Sequence, residues 1–190
     1  MIQENSSFPP VGNGLTDLFS RSISYLRLSL TDRCNLKCMY CVTEEESAGC
    51  LSKLLHDELL TYEELLRVVR VAVGMGITKV RLTGGEPLVR RNVMGFIREL
   101  TRIEGLGDVR ITTNGVLLAQ HARELLDAGV TKVNVSLDSL RPERVAEITG
   151  ADCFDAVWRG IETVLDLGFS PVKLNMVAMR HINDDEILDF

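Results

Sequence analysis

Two periodicities alternate along this chain from residue 21 onward. Short segments in which every second residue is apolar are separated by longer ones whose apolar residues recur every three or four positions. The first period belongs to a strand with one buried face, the second to an amphipathic helix. In order, the pattern predicts strand Tyr25 to Leu30, helix Thr61 to Val73, strand Lys79 to Thr83, helix Asn92 to Thr101 and strand Val109 to Thr112. It continues with helix Leu118 to Ala128, strand Val133 to Asp138, helix Phe154 to Leu167 and strand Val172 to Val177. Thr61 and Glu64 form a capping-box pair, and Gly74, Gly129 and Gly168 stand just past helical patterns. A further helix is expected to begin near Asn183-Asp184-Asp185.

Strands that alternate with helices pair in parallel, because a parallel neighbour needs a long crossover. Five strands fall short of a closed eight-stranded barrel, so the expected class is α/β, a partial (β/α) barrel with an open, curved sheet. Side-chain parity divides that sheet. One face carries Leu26, Leu28, Leu30, Val80, Leu82, Val109, Ile111, Val133, Val135, Leu137, Val172, Leu174 and Met176, and should lie under the helices. The other carries Arg27, Ser29, Lys79, Arg81, Thr83, Arg110, Thr112, Asn134, Ser136, Asp138, Lys173 and Asn175. A sheet buried on both sides reads as continuous apolar strands, so this second face borders either a cavity or solvent. If a cavity, Arg27, Lys79, Arg81 and Lys173 give it a positive potential suited to a phosphate-rich ligand.

Composition narrows the class without changing the architecture. A chain of 190 residues with 45% hydrophobic residues has material for one core. Residues 1–20, rich in Ser, Pro and Gly, read as a flexible leader, and 21–190 as a single core domain. A net charge of -6 disfavours nonspecific nucleic-acid binding. No apolar run approaches the ~20 residues of a membrane span, and the first residues lack a signal-peptide pattern, so a cytoplasmic protein is expected.

Cys34, Cys38 and Cys41 are spaced Cys-x3-Cys-x2-Cys at the end of the first predicted strand. Three thiolates in one polar loop can ligate three irons of a [4Fe-4S] cubane and leave the fourth open for chemistry. A structural zinc site would close with four ligands, and His56 is the only imidazole nearby in sequence. A non-catalytic iron-sulfur or zinc module remains the alternative. Cys50 and Cys153 lie outside the spacing, and Glu44-Glu45-Glu46 reads as a solvated loop. No side chain stands out as a general acid or base, since His56, His121 and His181 have no spacing relation to the cysteines.

The other strand ends carry polar segments: Thr83-Gly84-Gly85-Glu86-Pro87, Thr112-Thr113-Asn114-Gly115 and Ser136-Leu137-Asp138. The two glycines permit close approach of backbone to a ligand, and Glu86 can accept from an ammonium or hydroxyl.

Together with Leu26-Arg27-Leu28-Ser29, Thr31-Asp32-Arg33-Cys34-Asn35-Leu36 and Val172-Lys173-Leu174-Asn175, these segments resemble the radical S-adenosylmethionine superfamily. Within it, Arg27, Lys79, Arg81 and Lys173 give a resemblance to the GTP 3',8-cyclase family of molybdenum cofactor biosynthesis. The resemblance implies that Cys34, Cys38 and Cys41 hold a [4Fe-4S] cluster whose open iron chelates S-adenosylmethionine. Tyr40, Gly85, Glu86, Thr112 and Ser136 would contact that cofactor, and Arg27, Lys79, Arg81 and Lys173 would face GTP. The implied reaction uses a 5'-deoxyadenosyl radical to take the C3' hydrogen of GTP, giving 3',8-cyclo-7,8-dihydro-GTP.

Flavodoxin or ferredoxin as reductant, a downstream cyclic pyranopterin monophosphate synthase and a homodimer are implied in the same way. Val42-Thr43 depart from the family's usual hydrophobic residue and proline after the third cysteine. The family's second [4Fe-4S] cluster belongs to a carboxyl-terminal region that has no counterpart here, so the chain is expected to be a truncated form. A radical enzyme of the same superfamily acting on a peptide or another small molecule is the remaining alternative.

Overall fold

A computed structural model describes residues 14–41 and 58–190. Five parallel strands, β1 (Tyr25–Ser29), β2 (Lys79–Thr83), β3 (Asp108–Thr113), β4 (Lys132–Ser136) and β5 (Val172–Asn175), form one open sheet in the order 1-2-3-4-5. Between them run α1 (Tyr62–Gly74), α2 (Val93–Thr101), α3 (Leu118–Asp127), α4 (Pro142–Thr149) and α5 (Phe154–Asp166). The expected strand–helix alternation is therefore present, with one addition. The β4–β5 crossover holds two helices, and α4 was not anticipated. Its Pro142 at the first turn and Gly150 in a left-handed conformation just past the end are ordinary start and stop signals on a very short helix.

Parity holds on the helix side of β1 to β4 and fails at the edge strand β5, where Leu174 is exposed; Asn134, on the polar side of β4, is buried. Val80, Leu82, Ile111, Val133 and Val135 are wholly buried under the helices with Val69, Ile97, Leu118, Leu125 and Val164. Each such side chain contributes roughly 1.5–3 kcal/mol by leaving water. Thr61 and Glu64 close the capping box of α1 in both directions. Tyr62 on α1 stacks on Phe96 of α2, with ring centroids 4.8 Å apart.

Three boundaries are corrected. β1, β4 and β5 each end before the apolar pattern does: Leu30 and Leu137 still donate one backbone bond each, to Thr83 (2.9 Å) and Asn175 (3.0 Å), while past β5 the Val177 N–H turns to the Asp138 carboxylate. Residues 14–20 are not a loose leader. The Leu15 N–H donates to the Met75 carbonyl at 3.2 Å, Thr16 bridges Ser22, and Leu15 packs on the core. The helix expected near Asn183 is only a short 3-10 turn, Asp184–Glu186. There the Asn183 side chain is drawn inward to the carbonyls of Asp138 and Val177, at 2.7 and 2.9 Å.

Candidate functional site

Register puts the carboxyl ends of the strands side by side, and the loops leaving them meet at one end of the sheet. The loop after β1 carries Cys34, Cys38 and Cys41. It is fixed to the Gly-Gly-Glu loop after β2 by backbone bonds from Gly85 N–H to Thr31 (2.7 Å) and from Glu86 N–H to Arg33 (2.8 Å). A Cβ on Gly84 would come within 2.6 Å of the Thr31 carbonyl, and one on Gly85 would collide with that of Arg33. These glycines thus admit the cysteine loop itself, where the sequence suggested room for a ligand. Arg90 adds a second tie, donating to the carbonyls of Leu30 (2.6 Å) and Leu60 (2.5 Å) while stacking on Tyr62.

Glu86 is fully buried beneath the meeting point. Its carboxylate accepts from Leu88 N–H (3.0 Å), the Thr113 hydroxyl (2.9 Å) and Asn114 N–H (2.7 Å), joining the loops after β2 and β3. Burial outweighs those donors and raises its pKa above the ordinary 4.5. Among the described residues no cation is paired with it. Asn114, named in a strand-end segment but not among the expected site residues, then reaches back toward the cysteines. Its side-chain nitrogen lies 2.8 Å from Asn35 Oδ1 and 3.6 Å from Cys34 Sγ, and the Leu36 N–H lies 3.4 Å from the same sulfur.

Tyr40 is half-buried and donates to Asp138 Oδ2 at 2.7 Å, while Asp138 Oδ1 accepts from Val177 N–H at 2.8 Å. Burial, reinforced by Asp138, raises the Tyr40 pKa, so the ring stays a neutral phenol. Cys38, Tyr40, Asn114, Ser136 and Asp138 line one narrow crevice with the buried Cys153 at its back. Cys153 is thereby a packing thiol beneath the loop. Burial and the neighbouring Cys41 push the Cys38 thiol up to about 11, so its thiolate form needs a cation beside it. The Thr112 hydroxyl is buried with no partner.

Soft donors on a loop with N–H groups aimed at sulfur fit an iron-sulfur cluster. Among the described residues, no three His, Cys, Asp or Glu side chains converge on one metal ion. A cubane does not require that, because each thiolate binds a different iron. His56, Cys50, Val42-Thr43 and Glu44-Glu45-Glu46 lie outside the described residues.

The polar face forms layers across the strands. Arg27, Arg81, Arg110 and Lys132 share one row of the register, with Lys79 and Asp108 paired in the neighbouring row. Asp108 divides this row. It accepts from Arg110 Nε at 2.9 Å and Lys132 Nζ at 3.2 Å, and those partners hold its pKa below the ordinary value against some burial. Among the described residues no ion-pair partner faces Arg27, Lys79, Arg81 or Lys173. Arg81 stacks on Tyr25 at 5.5 Å, and its buried Nε has no acceptor. The four predicted cations therefore remain available, and the two neutralised ones are Arg110 and Lys132.

The family model for the radical SAM superfamily matches residues 28–190. The chain is 50% identical over 176 residues to the GTP 3',8-cyclase of Thermodesulfovibrio yellowstonii, covering 93% of this chain and 54% of that protein. The GTP 3',8-cyclase of Geobacter sulfurreducens is 48% identical, with coverage of 93% and 53%. The chain thus spans about half the length of the curated relatives it matches. Among solved structures, Streptococcus suis SuiB bound to S-adenosylmethionine superposes with a TM-score of 0.68 at 18% identity, over 87% of this chain and 37% of SuiB. His-tagged anSMEcpe with bound AdoMet gives 0.60 at 23%, over 81% and 42%. At those identities the likeness concerns the fold.

Proposed function

From the premise that this chain belongs to the radical SAM superfamily, we propose that it is the cluster- and cofactor-binding part of a GTP 3',8-cyclase of molybdenum cofactor biosynthesis. The observation that carries the reading is the coexistence of two features on one sheet. Three cysteines lie on the pinned β1 loop, and Arg27, Lys79, Arg81 and Lys173 stand without ion-pair partners on the uncovered face. The four cations are suited to the triphosphate of GTP.

When bound, a [4Fe-4S] cluster and S-adenosylmethionine supply a 5'-deoxyadenosyl radical, which in this family's chemistry takes the C3' hydrogen of GTP. The chain's part is ligation and orientation. Cys34, Cys38 and Cys41 would hold the cluster, and the exposed backbone at Gly85 together with Glu86 would meet the methionine ammonium. Tyr40, fixed by Asp138, would border the adenine. The unpartnered Thr112 hydroxyl and Ser136 offer hydrogen bonds to the remaining polar atoms of the cofactor. Arg27, Lys79, Arg81 and Lys173 would hold the phosphates of GTP and so orient it toward the cofactor.

The whole protein would draw electrons from flavodoxin or ferredoxin, pass its product to cyclic pyranopterin monophosphate synthase and carry a second cluster in its other half. A cytoplasmic location suits that chemistry, and no helix among the described residues is long and apolar enough to cross a membrane. The test is anaerobic reconstitution of the chain, followed by reductant, S-adenosylmethionine and GTP. About four irons and four sulfides per chain are expected, with release of 5'-deoxyadenosine. Cys34→Ala should abolish both, and a full cluster in that variant would overturn the assignment. For the phosphate side, Arg81→Ala should weaken inorganic triphosphate roughly tenfold by calorimetry, the scale of one charge-assisted contact, and leave S-adenosylmethionine affinity within about twofold.

A further inference from the structure

The loop after β3 contains a side chain whose orientation is over-determined. Asn114 Oδ1 accepts from the Val116 N–H at 3.1 Å, and Nδ2 faces two acceptors, Asn35 Oδ1 at 2.8 Å and Cys34 Sγ at 3.6 Å. Turning the amide over would set its oxygen against both acceptors and its nitrogen against a donor, so one orientation alone satisfies all three contacts. The backbone of Asn114 is held in turn by Glu86 Oε2 at 2.7 Å. One N–H of the amide serves Asn35, and the other is left for sulfur.

We infer that Asn114 is a positioning residue for the Cys34 thiolate, and that its N–H raises the electron affinity of a cluster ligated there. The inference rests on the cysteine triad being the cluster ligand set. A reduced iron-sulfur cluster carries one more electron, its thiolate sulfurs are richer in charge, and a donor pointed at one of them stabilises the reduced state more than the oxidised one. Cys34 has two such donors. The Leu36 backbone N–H at 3.4 Å survives any side-chain substitution, whereas the Asn114 amide can be removed. Glu86, by holding the Asn114 backbone, makes the distance from amide to sulfur a property of the Gly-Gly-Glu loop as well.

The experiment uses the chain anaerobically reconstituted as wild type, Asn114→Ser and Asn35→Ala, without S-adenosylmethionine. Iron and sulfide content and the midpoint potential are read, the latter from a redox titration followed by electron paramagnetic resonance. Serine can still accept from the Val116 N–H but has no amide to offer sulfur. Asn114→Ser should keep its full iron content and titrate at a lower potential than wild type. Asn35→Ala, which removes the competing acceptor and keeps the amide, should hold the wild-type potential or rise. An unchanged midpoint in Asn114→Ser, an equal drop in both variants, or loss of iron from Asn114→Ser alone would each overturn the inference and return Asn114 to a purely structural role. Wild-type chain that takes up no cluster overturns the triad reading together with it, an outcome distinct from a loaded wild type with unshifted variants.

Discussion

Two glutamates are buried at the strand ends of this sheet, and they are built in opposite ways. Glu86, after β2, is met by three donors, all of them neutral. Glu186, after β5, is met by the Ser139 hydroxyl, the Leu140 N–H and the guanidinium of Arg144, which also grips Asp185. Both side chains are closed to solvent, at 0% and 1%, but Glu86 lies deeper among protein atoms, and their pKa values move apart. Burial raises that of Glu86, whereas at Glu186 the cost of burial is exceeded by the donors and the Arg144 charge, and the pKa falls. The first is a carboxyl group without a countercharge beside the cysteine loop. The second is a closed ion-pair lock between α4 and the 3-10 turn that follows β5. Depth and countercharge together therefore separate the two carboxylates: Glu86 is held by neutral donors alone deep beneath the loops, and Glu186 by neutral donors together with Arg144 in a shallower setting.

Removing the carboxylate breaks the comparison most sharply at the first site. Glu86→Ala strands the Leu88 and Asn114 N–H groups and the Thr113 hydroxyl, and should cost on the order of 3–5 kcal/mol in urea unfolding. Glu186→Gln should cost less, about 1–2 kcal/mol, because Arg144 keeps Asp185 and one amide oxygen still accepts. A larger loss at Glu186 than at Glu86 would mean that the lock, and not the loop tier, holds the strand ends together.

The smallest expected effect is in pH dependence, and its sign separates the two sites. A raised folded pKa means that Glu86 destabilises the fold when ionised, and this is relieved as pH falls through the raised value toward the ordinary 4.5. A lowered one means that Glu186 stabilises above 4.5 and loses that contribution as pH drops through its folded value. Urea midpoints collected from pH 7 downward should show any advantage of Glu86→Gln over wild type shrinking as pH approaches 4.5. Glu186→Gln should instead lose less stability than wild type below 4.5. Parallel profiles for the two variants would erase the distinction.

The sheet was readable because its information is local. Alternation in Lys79–Thr83 and Lys132–Ser136 identifies a buried and a polar face without reference to any neighbour. The cysteine spacing is local too. Hidden from the sequence were pairings over long separations: Tyr40 with Asp138, Asn114 with Cys34, Ser139 with Glu186. Cys34 and Tyr40 stand out along the chain, but their partners do not, and each pairing comes from a neighbour that only the crossovers bring near. α4 escaped for another reason, since eight residues with three buried positions carry too few periods to separate a helix from the loop around it. Asp108 likewise gives no sign along the chain that it takes Arg110 and Lys132 out of the cationic row.

The contact between Gly85 and the Arg33 carbonyl has a bearing on engineering. A cysteine-rich segment lifted out of this molecule and grafted onto another scaffold would leave behind the backbone that shapes it. Thr31 and Arg33 would lose their donors, and a recipient loop with ordinary side chains in place of Gly84 and Gly85 would push the segment away. The transplantable unit is consequently two strands and both of their exits, together with the buried carboxylate below. Libraries that diversify the cysteine loop while keeping that frame intact should retain folded members, whereas diversifying the two glycines should eliminate nearly all of them.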